Sequence, residues 1–158
     1  MDHSDTARRA LLSSVRLDQF ERPLAVTLTM KLRASGRACD PVTASRNFRH
    51  FMNRLNRTVF GQAAKRYGKR LRVFPVLEQN REGRLHYHAI IDRPKWIGIA
   101  EFGAFVRENW LRTDFGYRQI DVQPVTGDGW VAYLCKRRQK PEGLLDSIDW
   151  NNCTSTLG

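Results

Sequence analysis

The segment Leu85 to Asp92, LHYHAIID, places an apolar side chain at every second position. A period of two belongs to a β-strand, because successive side chains leave a pleated strand on opposite faces. Leu85, Tyr87, Ala89 and Ile91 therefore point one way, and His86 and His88 the other. Leu24 to Lys31, LAVTLTMK, behaves alike: Leu24, Val26, Leu28 and Met30 oppose Ala25, Thr27, Thr29 and Lys31. Strands of this half-buried kind need other elements to cover their apolar face.

The remaining periodicities supply the cover. Pro41 opens a helical stretch to about Tyr67, with Phe48, Phe51, Met52, Leu55 and Val59 as its apolar stripe. Arg46, Arg49, Arg54 and Arg57 lie largely off that stripe, and Gly68 ends the helix. Leu71 to Gln79 reads as a strand that pairs with Leu85 to Asp92 in a hairpin, with Arg81-Glu82-Gly83 at its turn. Pro94 stops the second strand, and a helix from about Ile99 to Arg112 buries Phe102, Phe105, Val106 and Trp110. Beyond Gly116, Tyr117 to Val125 alternates again, with Ile120 and Val122 opposed to Asp121 and Gln123. Gly127-Asp128-Gly129 breaks the chain and Asp128 fits an N-cap. A last helix runs from about Trp130 to Lys140 and ends at Pro141.

The order is strand, helix, strand, strand, helix, strand, helix. Its first six elements follow the split βαβ plan of ferredoxin-like and RNA-recognition-motif folds. The expected class is α+β: an antiparallel sheet with both helices on one face and the other face free for a site. Residues 1–22 read as an N-terminal arm, 23–141 as one domain and 142–158 as a mobile, polar C-terminal tail.

At 158 residues the chain can bury a real core. No apolar run approaches the ~20 residues of a membrane span, and the polar N-terminus lacks the apolar core of a signal peptide. Cys39, Cys135 and Cys153 form no CxxC pair and are expected as reduced thiols in a cytosolic protein. Lys and Arg number 27 against 16 Asp and Glu, and the resulting +11 favours polyanionic partners, nucleic acid before anionic membrane. Gly61 to Lys69, GQAAKRYGK, is not a phosphate-binding loop. Six residues separate its glycines where that loop has four, and Arg70 stands in place of the Ser or Thr that would bind Mg²⁺.

On the free face lie Thr27 and Thr29, His86 and His88, Asp121 and Gln123. Histidines at i and i+2 sit ~6.5–7 Å apart along a strand, close enough to share one metal ion. If the hairpin centres on Glu82, Glu78 stands opposite His86; half a step later Gln79 takes its place. A carboxylate completes such a site better than an amide. Two imidazoles and a carboxylate leave open positions that can grip and polarise a phosphate. The mixed ligation admits Mn²⁺, Mg²⁺ or Zn²⁺, and a phosphodiester substrate favours Mn²⁺ or Mg²⁺. On the last helix Tyr133, Lys136, Arg137 and Lys140 cluster at i, i+3 and i, i+4 spacing. A phenol titrates near ~10, and neighbouring cations favour its phenolate.

The triplet His86-Tyr87-His88, the upstream Glu78 and the later Tyr133-x-x-Lys136 resemble the HUH endonucleases. Within them they are most similar to single-tyrosine Rep proteins of rolling-circle plasmids and small single-stranded DNA viruses. The resemblance spans roughly residues 24–140. It implies that an ion bound by Glu78, His86 and His88 polarises the scissile phosphate of single-stranded DNA. It implies that Tyr133 attacks there, leaving a 5′-phosphotyrosine and a free 3′-OH that primes synthesis, and that Lys136 orients the phosphate. Thr27, Thr29, Asp121, Gln123, Arg137 and Lys140 would contact the DNA. Many viral relatives carry a helicase domain, for which this chain has no room, so a separate helicase is an expected partner beside the host replication machinery.

Two other classes account for part of the pattern. A non-catalytic binder of single-stranded nucleic acid would use the basic charge with Trp96, Phe115 and Tyr117 for stacking, and leaves Glu78, His86 and His88 without a role. A metal-dependent hydrolase would attack with water. A transposase or relaxase of the same superfamily is a nearer variant. A covalent protein–DNA adduct separates the tyrosine mechanism from the first two.

Overall fold

A computed structural model of the chain describes Thr6, residues 19–125 and residues 147–154. The expected helix Trp130 to Lys140, its Asp128 cap and Cys135 lie outside the described residues. The elements are β1 (Pro23–Met30), β2 (Arg33–Ala34), β3 (Arg37–Ala38), α1 (Pro41–Phe60), α2 (Gln62–Tyr67), β4 (Val73–Gln79), β5 (Leu85–Asp92), α3 (Ile99–Leu111) and β6 (Gly116–Pro124). Strands β4-β5-β1-β6 form one antiparallel sheet in that order. This is the expected split βαβ arrangement, with β5 and β1 at the centre.

One face is closed by helices. Leu24, Val26, Leu28 and Met30 of β1 join Leu85, Tyr87, Ala89 and Ile91 of β5 in a single buried cluster. Phe48, Phe51, Met52 and Leu55 of α1 and Phe102, Val106 and Trp110 of α3 complete it. Phe48 stacks on Tyr87 with centroids 4.3 Å apart, and Phe51 meets Trp110 edge-on at 5.4 Å. Such pairs contribute about 0.5–1.5 kcal/mol each beyond the area they bury.

Local chemistry sets the ends of α1. The Asp40 carboxylate accepts from the Thr43 backbone N–H at 2.7 Å, and Pro41 opens the helix where no N–H is needed. That hydrogen bond holds the Asp40 carboxyl below the usual carboxylate range. The expected single helix to Tyr67 is two: Gly61, at φ 60° and ψ −134°, ends α1 and turns the chain into α2. The short ribbon β2–β3 between β1 and α1 has too few residues to show a period, and sequence patterning did not reveal it.

Residues opposed across an antiparallel ladder share a face. The second sheet face therefore carries three rows: Thr29, His86 and Glu78; Thr27, His88, Val76 and Asp121; and Ala25, Ile90, Phe74 and Gln123. It is not free along its whole length. Ala25, Phe74, Val76 and Ile90 are buried, apart from the main core. Only the end with the histidines is polar.

Residues 147–154 were expected in a mobile tail, and they dock instead along the outer edge of β4. Ile148 bridges Val76, the Asp149 N–H donates to the Pro75 carbonyl at 3.0 Å, and the Thr154 N–H donates to the Val73 carbonyl at 3.1 Å. The strap covers backbone that an edge strand would otherwise expose. Pro75 is tolerated because its missing N–H falls on that outer edge.

Candidate metal centre

The hairpin β4–β5 builds the centre. Its turn closes with the Asn80 N–H donating to the Arg84 carbonyl, and the Asn80 side chain accepts from the N–H groups of Glu82 and Arg84. This geometry centres the register on Glu82 and sets Glu78 opposite His86. Gln79, the other candidate, pairs with Leu85 and donates its side-chain amide to the Gly83 carbonyl in the turn.

Glu78 Oε2 lies 3.1 Å from His86 Nε2 and 3.0 Å from His88 Nε2. The two imidazoles stand edge to face with centroids 4.7 Å apart. One donor atom from each of the three residues falls within 4.8 Å of the others. In octahedral coordination with bonds of ~2.1 Å, neighbouring donors lie ~3.0 Å apart, which matches both Glu78 distances. Two neutral imidazoles and a carboxylate therefore fit a divalent cation. Glu78 and His86 side chains retain 18% and 17% of their exposure while His88 retains 5%, so the centre is open on one side only. A substrate oxygen can enter from there.

Thr27 lies directly across β1 from His88, and its Oγ1 is 3.2 Å from His88 Nδ1. A partner on the remote ring nitrogen orients a ligating histidine and leaves Nε2 for the ion. Sequence reasoning placed Thr27 on the right face and assigned it to DNA; the ladder brings it behind a histidine. Thr29 sits opposite His86. Its carbonyl accepts from the Trp110 indole N–H at 3.0 Å, at the point where the β1–β6 register shifts between Leu28 and Met30. Asp121 stands across from Thr27 and accepts from the Gln123 side chain at 2.8 Å. Tyr133, Lys136, Arg137 and Lys140 lie outside the described residues.

Tyr87, between the histidines, is fully buried on the helix face, and its hydroxyl donates to Asp149 at 2.7 Å. Burial and the Asp149 charge push its phenol far up. Tyr117 carries a signal the sequence hid. The Arg84 guanidinium stands 4.8 Å from its ring centroid and that of Arg118 5.7 Å. Arg84 comes from the β4–β5 turn, a contact that no spacing along the chain could reveal.

No helix among the described residues is long and apolar enough to cross a membrane. No curated protein and no solved structure matches the chain. The family model described as replication-associated protein ORF2 matches residues 23–142, from the first residue of β1 to beyond the end of β6. With most of its length matched, and with a fold and a histidine–carboxylate centre suited to phosphate chemistry, the chain belongs to the replication-associated protein ORF2 family.

Proposed function

We propose that the protein nicks single-stranded DNA at a specific site by tyrosine transesterification, and so initiates rolling-circle replication. The convergence of Glu78, His86 and His88 on one sheet face, in a member of a replication-associated family, carries this reading. These three residues hold Mn²⁺ or Mg²⁺, which when bound supplies positive charge that polarises the scissile phosphate. Thr27 keeps the His88 ring in its ligating orientation.

Tyr133 is the nucleophile. Its Oη forms a bond to phosphorus as the bond from phosphorus to the 3′ oxygen breaks; the phenol gives up its proton and the 3′ oxygen takes one. The 5′ phosphate remains on Tyr133 as a diester. One P–O ester replaces another, so the bond energy is kept for rejoining. Lys136 stabilises charge on the phosphate. Thr29, Asp121 and Gln123 on the sheet, with Arg137 and Lys140, contact the strand. The free 3′-OH primes the host polymerase, and a separate helicase unwinds the template.

Incubation with a pool of single-stranded oligonucleotides and Mn²⁺ tests the proposal. A covalent protein–DNA band on a denaturing gel, absent from Tyr133→Phe, is the expected result. Cleavage without any adduct would assign the protein to water-using nucleases, and binding without cleavage would make it a non-catalytic module.

A further inference from the structure

Three surface cavities run into one another along α1. The first, about 600 Å³, is bounded by Glu78 of the metal centre, Arg46, Arg49 and the docked strap. The second, about 290 Å³, shares Arg49 with the first and Asn53, Asn56 and Arg70 with the third. The third, about 520 Å³, carries Arg57, Lys65, Lys69 and Arg70. Together they form one trench with its head at a ligand of the metal centre. Its cations follow from helix geometry. Arg46, Arg49 and Arg57, with Asn53 between them, succeed one another at i, i+3, i+7 and i+11, a nearly straight line up one side of a helix of 3.6 residues per turn. From Arg46 to Arg57 the helix rises about 16 Å.

Arg46, Arg49, Arg57, Lys65, Lys69 and Arg70 are all exposed or half-exposed. Among the described residues none of the six makes an ion pair. The two carboxylates on the trench are committed elsewhere: Glu78 to the histidines, and Asp149 to Tyr87, Ser45 and Asn152. A row of cations without neutralising carboxylates is complementary to a row of phosphates.

We infer that this trench holds the phosphate backbone of a DNA duplex flanking the nicking site, and feeds the single strand that leaves the duplex toward Glu78. The inference rests on the proposed function in taking DNA as the ligand. The trench is long enough for several consecutive phosphates, which rise about 3.4 Å apiece along one strand of a duplex. No aromatic side chain lines it among the described residues. Single-strand grooves combine cations with aromatic stacking platforms. Cations and amides alone contact the backbone and leave bases paired. The single strand is then held on the sheet face, and the duplex on α1.

The test is fluorescence anisotropy with three non-cleavable probes: a hairpin with a single-stranded tail, the same duplex without a tail, and the tail alone. Wild type is compared with Arg49→Gln/Arg57→Gln/Arg70→Gln over a range of salt. The three side chains are exposed, so circular dichroism and melting should match wild type; the single variants serve if the triple does not fold. At 0.1 M salt the triple variant should bind hairpin and duplex at least tenfold more weakly. Its log–log salt slope should flatten by about 0.9 per lost contact, and its affinity for the tail should change less than twofold. Equal losses on all three probes, or unchanged duplex binding, would overturn the inference. Adduct formation by the wild type on the tail reads the chemistry separately. A duplex-specific loss without any adduct sinks the nickase and leaves the trench, and an adduct with no duplex-specific loss does the reverse.

Discussion

The Tyr87 hydroxyl donates to the Asp149 carboxylate at 2.7 Å, and this bond takes the tyrosine between the two histidines out of contention as a nucleophile. Tyr87 is adjacent in sequence to both His86 and His88, yet strand alternation turns it under α1, where it stacks on Phe48. Asp149 holds it there and is itself held by Ser45 and Asn152. Tyr87→Phe should therefore still form the covalent DNA adduct. It should lose about 1–2 kcal/mol of stability by urea denaturation, the scale of one buried hydrogen bond whose acceptor keeps other donors. Loss of the adduct in a folded Tyr87→Phe protein would contradict this placement.

Metal binding should stabilise the fold by mass action, since the three ligands converge only in the native state. Mn²⁺ at a hundred times its Kd should add about 2.7 kcal/mol, visible as a rise in Tm. His88→Ala should abolish the rise. Glu78→Gln should weaken metal binding far more than Gln79→Ala, because Gln79 is occupied by the Gly83 carbonyl. Thr27→Val, which removes the hydroxyl beside the remote nitrogen of His88, should weaken it by about tenfold. A Thr27→Val protein with wild-type metal affinity by calorimetry would remove that residue from the centre.

Two tyrosines compete for the chemistry. Tyr133→Phe should bind metal and DNA but form no adduct, and Lys136→Ala should form it more slowly. Tyr117 has two guanidiniums beside its ring and is the rival that the tertiary structure brings forward. Tyr117→Phe preserves the ring that those cations touch and should leave adduct formation intact. Peptide mapping of the adduct decides between them, and phosphotyrosine at position 117 would reverse the assignment.

Gly116 makes β6 possible. A Cβ there would overlap the Trp110 carbonyl oxygen and stand 2.8 Å from Thr113 Oγ1, so neither backbone nor side chain can yield cheaply. Gly116→Ala should cost several kcal/mol, at the large end of single substitutions. It should also disturb the Trp110–Thr29 hydrogen bond beside the histidine row. A Tm within a few degrees of wild type would show that the turn relaxes more easily than its packing implies.

Cys39 is the residue whose titration bears on pH. Burial, then the Asp40 charge, pushes its thiol from 9.0 up to about 11. A raised folded value means stability that is present below the unfolded value and is lost as pH rises through the window from 9 to 11. Cys39→Ala should flatten the decline of Tm across that window. At pH 8 iodoacetamide should alkylate Cys39 at least about tenfold more slowly than a free cysteine, because the thiolate is the nucleophile. Rapid labelling of the native protein at position 39 would refute this.

The alternation in LAVTLTMK and LHYHAIID, the helical stripe from Phe48 to Val59 and the hairpin around Glu82 determined the order of elements, the face on which the histidines lie and the choice of Glu78. Each of these depends on neighbours within one strand, one helix or one turn, where sidedness follows from local geometry alone. Other features depend on which distant residues meet. Val76, Phe74 and Ile90 turned half of the second face apolar, because burial there is decided by what packs above it. Asp149 reached Tyr87 across 62 positions, and Arg84 reached Tyr117, through folding of the whole sheet. Thr27 became the partner of His88 only because β1 lies beside β5, a pairing that no residue of β1 encodes by itself. The basic trench arose in the same way. Its arginines were legible as residues off the apolar stripe of α1, and their alignment with Arg70 and Glu78 awaited the packing of the helix beside the strap and the edge strand.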